Sequence, residues 1–136
     1  MTSNATESIR YRMQRAHGTL VEAEAMAQIS HWNACVNRLY YACFYAVTAL
    51  LLQHELLTSK HTHVRSLLNR HFVRPGLMAP ELGSLYNRLF DNRHEGDYAD
   101  FIEFQEAQVR PWIDQAREFV AHVERLLAEQ PPGDQV

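Results

Sequence analysis

Residues 32–52 read WNACVNRLYYACFYAVTALLL. This stretch leaves the chain few choices of fold. Apolar side chains cover most of a helical circumference there, and the two-residue alternation of a half-buried strand is missing. A helix with so little polar face has to be surrounded by other elements. Tyrosines and Thr48 interrupt the run, which never reaches the ~18 uninterrupted apolar residues of a membrane span. A buried central helix or a subunit interface is therefore expected, and no membrane contact.

The remaining sequence supplies the covering helices. Thr6 or Ser8 is placed to cap a first helix over 6–29, with Ile9, Met13, Ala16, Leu20, Ala23 and Ala27 on one stripe. Gly18 weakens it locally. A shorter helix is predicted over 62–72, ended by VRPG. Pro80 suits the first position of a fourth helix starting near Ala79, with Leu82, Leu85, Leu89 and Phe90 inward. The last helix is expected over 106–129, with Pro111 forcing a late start or a kink in its first turns. The fold class is all-α: an antiparallel bundle of four to five helices over residues 6–129, followed by a disordered tail, 130–136. A chain of 136 residues makes one domain of this kind.

Arg38 falls inside the apolar helix and needs a partner. Cys35 and Cys43 lie about 12 Å apart along it, too far for a mutual disulfide. Without an apolar leader at the N-terminus, both read as reduced core thiols in a cytoplasmic protein. A net charge of −3 argues against a general nucleic-acid coat, but the charge is unevenly spread. Residues 56–80 contain no acid, while Lys60, Arg65, Arg70 and Arg74 are present. Residues 99–136 hold eight acids and three arginines. The basic segment either meets phosphates or pairs with the acidic C-terminal part. His61 and His63 are too few for a metal site, and no cofactor or enzyme signature is present.

The most concentrated chemistry is DNRHEGDY, residues 91–98. Arg93 is four residues after Leu89 and seven after Tyr86, so it continues the inward stripe of the fourth helix. If that helix holds through Gly96, Arg93 and Asp97 pair at i,i+4 and lock its end. Alternatively, a partly buried Arg93 grips a phosphate with its planar, permanently charged fork.

Four stretches in order resemble the small HEPN-domain proteins: NRLYYACFYAVTALL (37–51), SKHTHV (59–64), RHFVRPG (70–76) and YNRLFDNRHEGDYADF (86–101). The resemblance spans roughly residues 10–128. It implies a helical bundle that homodimerises through its central face. It also implies a place in a toxin–antitoxin pair with a small nucleotidyltransferase, or metal-independent endoribonuclease activity. In the catalytic members an Arg, usually followed by a polar residue, precedes a His by four to six positions. The Arg stabilises the anionic phosphate while the RNA 2′-hydroxyl attacks it, and the His moves the proton.

Here Arg93 matches the arginine and His94 the polar residue, but the position five after Arg93 is Tyr98. Asp97 and Tyr98 instead match an Arg…Asp-Tyr variant. A tyrosine with a pKa near ~10 is a poor base at neutral pH. The resemblance therefore favours a module that binds nucleotide or RNA phosphate through Arg93, Asp97, Lys60, His61 and Arg38. The alternatives are an endoribonuclease using Arg93 with His94 or Tyr98 as proton carrier, and a purely structural interaction protein. Tyr98 is also the nearest candidate for adenylylation by a nucleotidyltransferase partner.

Overall fold

A computed structural model describes residues 3–56, 58–93 and 101–129. It contains five helices and, among the described residues, no strand: α1 (Ser3–Gln28), α2 (Trp32–Gln53), α3 (His61–Leu68), α4 (Pro80–Asn92) and α5 (Glu106–Glu129). The all-α bundle and its helix order follow the sequence reading. The tail over 130–136 lies outside the described residues.

Side-chain contacts fix the directions of the helices. Arg12 reaches the Thr48 carbonyl, Arg15 the Tyr45 hydroxyl, and Glu22 pairs with Arg38. Numbers rise along α1 as they fall along α2, so the two run antiparallel. His17–Glu124 and Glu24–Arg117 do the same for α1 and α5. Asn37 meets Arg93, and Tyr40 meets Phe90, which sets α4 antiparallel to α2.

As expected, α2 is the centre, packed against α1, α3, α4 and α5. Val36, Leu39, Tyr40, Cys43, Val47 and Leu50 on it have no exposed surface. Each such aliphatic side chain contributes about 1.5–3 kcal/mol relative to exposure. Its length and hydropathy would let it cross a bilayer, yet most of it is buried within the bundle. Both cysteines are unpaired and buried, and burial pushes the Cys35 thiol up to about 11 and Cys43 higher still.

Several boundaries differ from expectation for identifiable reasons. α1 starts at Ser3, so Thr6 and Ser8 lie within it and do not cap it. α1 and α2 both end in the same reversed turn. Ser30 N–H bonds the Ala27 carbonyl and His31 N–H the Met26 carbonyl; Glu55 N–H bonds Leu52 and Leu56 N–H bonds Leu51. This double bond pattern terminates a helix by placing one residue in the left-handed region. Ser30 (φ 61°) and Glu55 (φ 60°) occupy it without being glycine.

The third helical segment does not run evenly to Phe72. After Leu68 it widens into a π turn, Asn69–Val73, in which Arg74 N–H bonds the Asn69 carbonyl five residues back. The extra residue lets Phe72 point into the core, edge-on to His54 at 5.1 Å. Val73 then lies against Gly83 of α4; a Cβ there would sit 2.9 Å from Val73 Cγ2, so only glycine permits this approach. Pro111 is accommodated inside α5, which starts at Glu106 despite it. Ala107, whose carbonyl loses its helical donor, is exposed to water there.

Candidate functional site

α4 ends at Asn92, and Arg93 is its C-cap residue with φ −64° and ψ −22°. His94, Asp97 and Tyr98 lie outside the described residues, as does any pairing of Arg93 with Asp97.

Arg93 is held by aromatic rings. Its guanidinium carbon is 4.3 Å from the Phe90 centroid and 5.2 Å from that of Tyr40. These cation–π contacts fall within the ~6 Å range in which the ring quadrupole attracts a cation. The Arg93 carbonyl accepts a hydrogen bond from Asn37 Nδ2 at 3.4 Å. Stacking uses the flat face of the guanidinium, whereas oxyanions are recognised through its in-plane N–H groups.

Arg38 is next to this group. It donates to Asn37 Oδ1 at 3.0 Å, pairs with Glu22 at 3.2 Å and lies 5.3 Å over the Tyr41 ring. The partner demanded by its place in an apolar helix is thus Glu22 on α1, reinforced by Tyr41. Arg38 and Arg93 both line one cleft of about 530 Å³, together with Glu22, Asn33, Asn37 and Phe104. The loop before α5 is tied to this cleft: Asn33 donates to the Ile102 carbonyl and accepts from Phe104 N–H.

His61 joins the cluster from the other side. The Tyr40 hydroxyl and His61 Nδ1 are 2.7 Å apart, and the His61 ring stacks on Phe44 at 4.2 Å and 7°. Tyr40 therefore touches Arg93 through its ring face and His61 through its hydroxyl. With the imidazole proton on Nε2, the tyrosine O–H donates to Nδ1. His61 also lines a larger groove of about 910 Å³ with Arg12, Tyr45, Thr48 and Thr58.

Of the residues expected at the site, the structure thus gathers Arg93, Arg38 and His61 around the Tyr40–Tyr41 pair. Lys60 is exposed at the start of α3, beside His61 in the chain, and does not line the Arg93 cleft. Sequence reasoning passed over Asn37, Tyr40 and Phe90. Tyr40 had a signal: a tyrosine with no exposed surface needs a partner for its hydroxyl. Phe90 resembled ordinary core packing.

The choice posed by the acid-free segment 56–80 is also resolved in part. Among the described residues its one ion pair is Arg65–Asp91, to α4. Glu106, Asp114 and Glu124 of the acidic C-terminal helix pair instead with Arg110, Arg117 and His17. The basic segment is not neutralised by that helix. The described residues contain no group of three or more His, Cys, Asp or Glu side chains able to hold a metal ion.

Comparison with known proteins agrees with this architecture. Residues 9–126 match the HEPN domain model. The UPF0332 protein of Thermotoga maritima is 41% identical over 121 residues, covering 89% of this chain and 92% of that one. A UPF0332 protein of Gloeobacter violaceus is 31% identical, covering 86% and 94%. A candidate toxin of Methanocaldococcus jannaschii is 25% identical, covering 85% and 78%. The crystal structure of TT1696 from Thermus thermophilus superposes with a TM-score of 0.71 at 16% identity, over 86% of this chain and 96% of that one, which shows a shared fold. The chain belongs to the HEPN-domain family.

Proposed function

We propose that this chain is a cytoplasmic HEPN module that binds the phosphate of a nucleotide or RNA at Arg93. In this reading it forms a homodimer and is the toxin-side member of a toxin–antitoxin pair with a small nucleotidyltransferase. The observation that carries the phosphate reading is the stacking of Arg93 on Phe90 and Tyr40 at the rim of the cleft that also holds Arg38. Two guanidiniums, those of Arg93 and Arg38, line this one cleft, and a pair of planar N–H forks suits a phosphate. Lys60 and His61 lie on the α3 side, and Asp97 follows Arg93 in the chain. The toxin designation of the Methanocaldococcus relative supports the physiological part of the reading.

The direct test is binding of labelled RNA and of adenine nucleotides to wild type and Arg93→Ala, with size-exclusion chromatography alone and after co-expression with a neighbouring nucleotidyltransferase. Wild-type binding lost in Arg93→Ala supports the reading. Equal binding by both proteins removes it.

One observation favours a second reading, metal-independent RNA cleavage. The Tyr40–His61 pair provides a proton-carrying couple one ring away from Arg93. His94 and Tyr98 are the other proton carriers within reach along the chain. Arg93 would stabilise the phosphate while the 2′-hydroxyl attacks it and its proton passes to the base. EDTA-resistant cleavage leaving 2′,3′-cyclic phosphate ends, lost in Arg93→Ala, distinguishes this from binding alone.

A further inference from the structure

Beside Phe90, the acid-free segment forms a second basic cleft. It measures about 290 Å³ and is lined by Arg65, Ser66, Asn69, Arg70, Arg74 and Asn87. Among the described residues, no carboxylate lines it. Asp91 touches Arg65 at 3.3 Å, but the Asp91 side chain is 65% exposed, so the pair is well solvated and weak. Arg70 and Arg74 are exposed and make no ion pair among the described residues.

Two features make this a shaped site instead of a scatter of surface charge. First, the π turn places Arg74 one wide turn after Asn69, while the Asn69 amide donates to the Arg65 carbonyl at 2.9 Å. Arg65, Asn69, Arg70 and Arg74 thereby share one rim, and π turns of this kind recur at functional sites. Second, the cleft is physically joined to Arg93. The Arg65 guanidinium lies 4.1 Å from the Phe90 centroid, and that of Arg93 lies 4.3 Å from the same centroid. One ring positions both cations.

We infer that the Arg65–Arg70–Arg74 cleft is a second phosphate subsite, and that the ligand is a ribonucleotide strand with one phosphate at Arg93 and another here. This rests on the proposed reading of Arg93 and deepens it: the single phosphate of AMP cannot occupy both clefts, whereas two phosphates of one strand can. Single-stranded nucleic acid is commonly bound by such positive tracks carrying aromatic rings.

The test uses fluorescence anisotropy with a labelled single-stranded RNA of about ten nucleotides, a size within small single-strand footprints. Wild type, Arg70→Ala/Arg74→Ala, Arg93→Ala and the exposed control Arg125→Ala are compared across a salt series, with AMP binding measured in parallel. Arg70 and Arg74 are exposed, so the double variant should keep the wild-type melting temperature. The double variant is expected to bind RNA about tenfold or more weakly. Its salt slope should shrink by about 0.7, the value for one phosphate contact on a single strand. AMP affinity and the Arg125→Ala protein should be unchanged.

Wild-type RNA affinity and slope in the double variant overturn the subsite. Equal loss in Arg125→Ala, or equal competition by poly-glutamate, overturns it by showing a diffuse charge effect. RNA binding lost in Arg93→Ala but kept in the double variant sinks this inference alone. Absence of both RNA and AMP binding in wild type sinks the underlying reading with it.

Discussion

The Tyr40 hydroxyl and the His61 Nδ1 atom are 2.7 Å apart, linking the centre of α2 to the first residue of α3. Tyr40 has no exposed surface, so its hydroxyl has exchanged water for this contact. Tyr40→Phe leaves the ring and its contact with Arg93 in place and deletes only the oxygen. The expected loss is about 1–3 kcal/mol in urea unfolding, the cost of stranding a buried partner. If the protein cleaves RNA, Tyr40→Phe should also slow cleavage. If it only binds RNA, affinity should stay at the wild-type value.

Arg93 contributes through two separable properties. Its stacking on Phe90 and Tyr40 stabilises the fold by about 1–2 kcal/mol, and its planar fork recognises the anion. Arg93→Ala should lose both, with phosphate or RNA binding about 10- to 100-fold weaker, from ~1.5–3 kcal/mol for a charged hydrogen bond. Arg93→Lys should recover part of the stability but little of the binding, because lysine lacks the fork. Parallel melting and anisotropy measurements separate the two losses.

His54, at the end of α2, has its pKa lowered from 6.5, first by burial and then by the neighbouring His71. Between the lowered value and 6.5 the unfolded chain binds more protons than the folded one. His54 therefore contributes full stability above about pH 6.5, and this is lost as pH falls through the lowered folded value. The melting temperature should drop on going from about pH 7.5 to pH 5. His54→Gln should show a shallower drop, with the other histidines as a common background. Identical pH profiles for the two proteins would exclude His54 as the cause.

Ser30 and Glu55 hold left-handed conformations that cost an L-residue about 1–2 kcal/mol. Ser30→Gly and Glu55→Gly remove that strain while adding some backbone entropy to the unfolded chain. Each is expected to stabilise the protein by about 0.5–1 kcal/mol, and the two should add, since they end different helices, α1 and α2. Destabilisation by either substitution would show that its side chain contributes a contact worth more than the strain.

The helices themselves were readable because apolar spacing reports burial directly. α5 begins and ends at the residues its stripe indicates, and Pro80 starts α4 as proline chemistry requires. The ends of α1 and α2 fell within one residue of expectation, although no glycine marks their left-handed turns. The π turn left no trace in a four-residue repeat, since Phe72 fits an ordinary stripe and the widening appears only when Val73 meets Gly83. At the site, Arg93 was identifiable from its place on the α4 stripe and from family resemblance. Its supports were not: nothing local in the sequence says that Tyr40 and Phe90, fifty residues apart, flank one guanidinium. The basic segment had an odd charge balance, but its escape from the acidic helix depended on α3 lying away from α5.

The five-residue turn over Asn69–Val73 makes chain length a determinant in its own right. An ordinary helical turn returns to the same face after 3.6 residues, with 100° between neighbours. Here five residues close the loop from Asn69 to Arg74. Removing any one of them would let the segment relax to regular winding while shifting everything downstream by a single place. Val73 would no longer meet Gly83, and Arg74 would leave the rim it shares with Arg65. A surface turn normally tolerates such a deletion; this one behaves as a ruler, and the spacing between Arg65 and Gly83 should be as intolerant of change as the residues themselves.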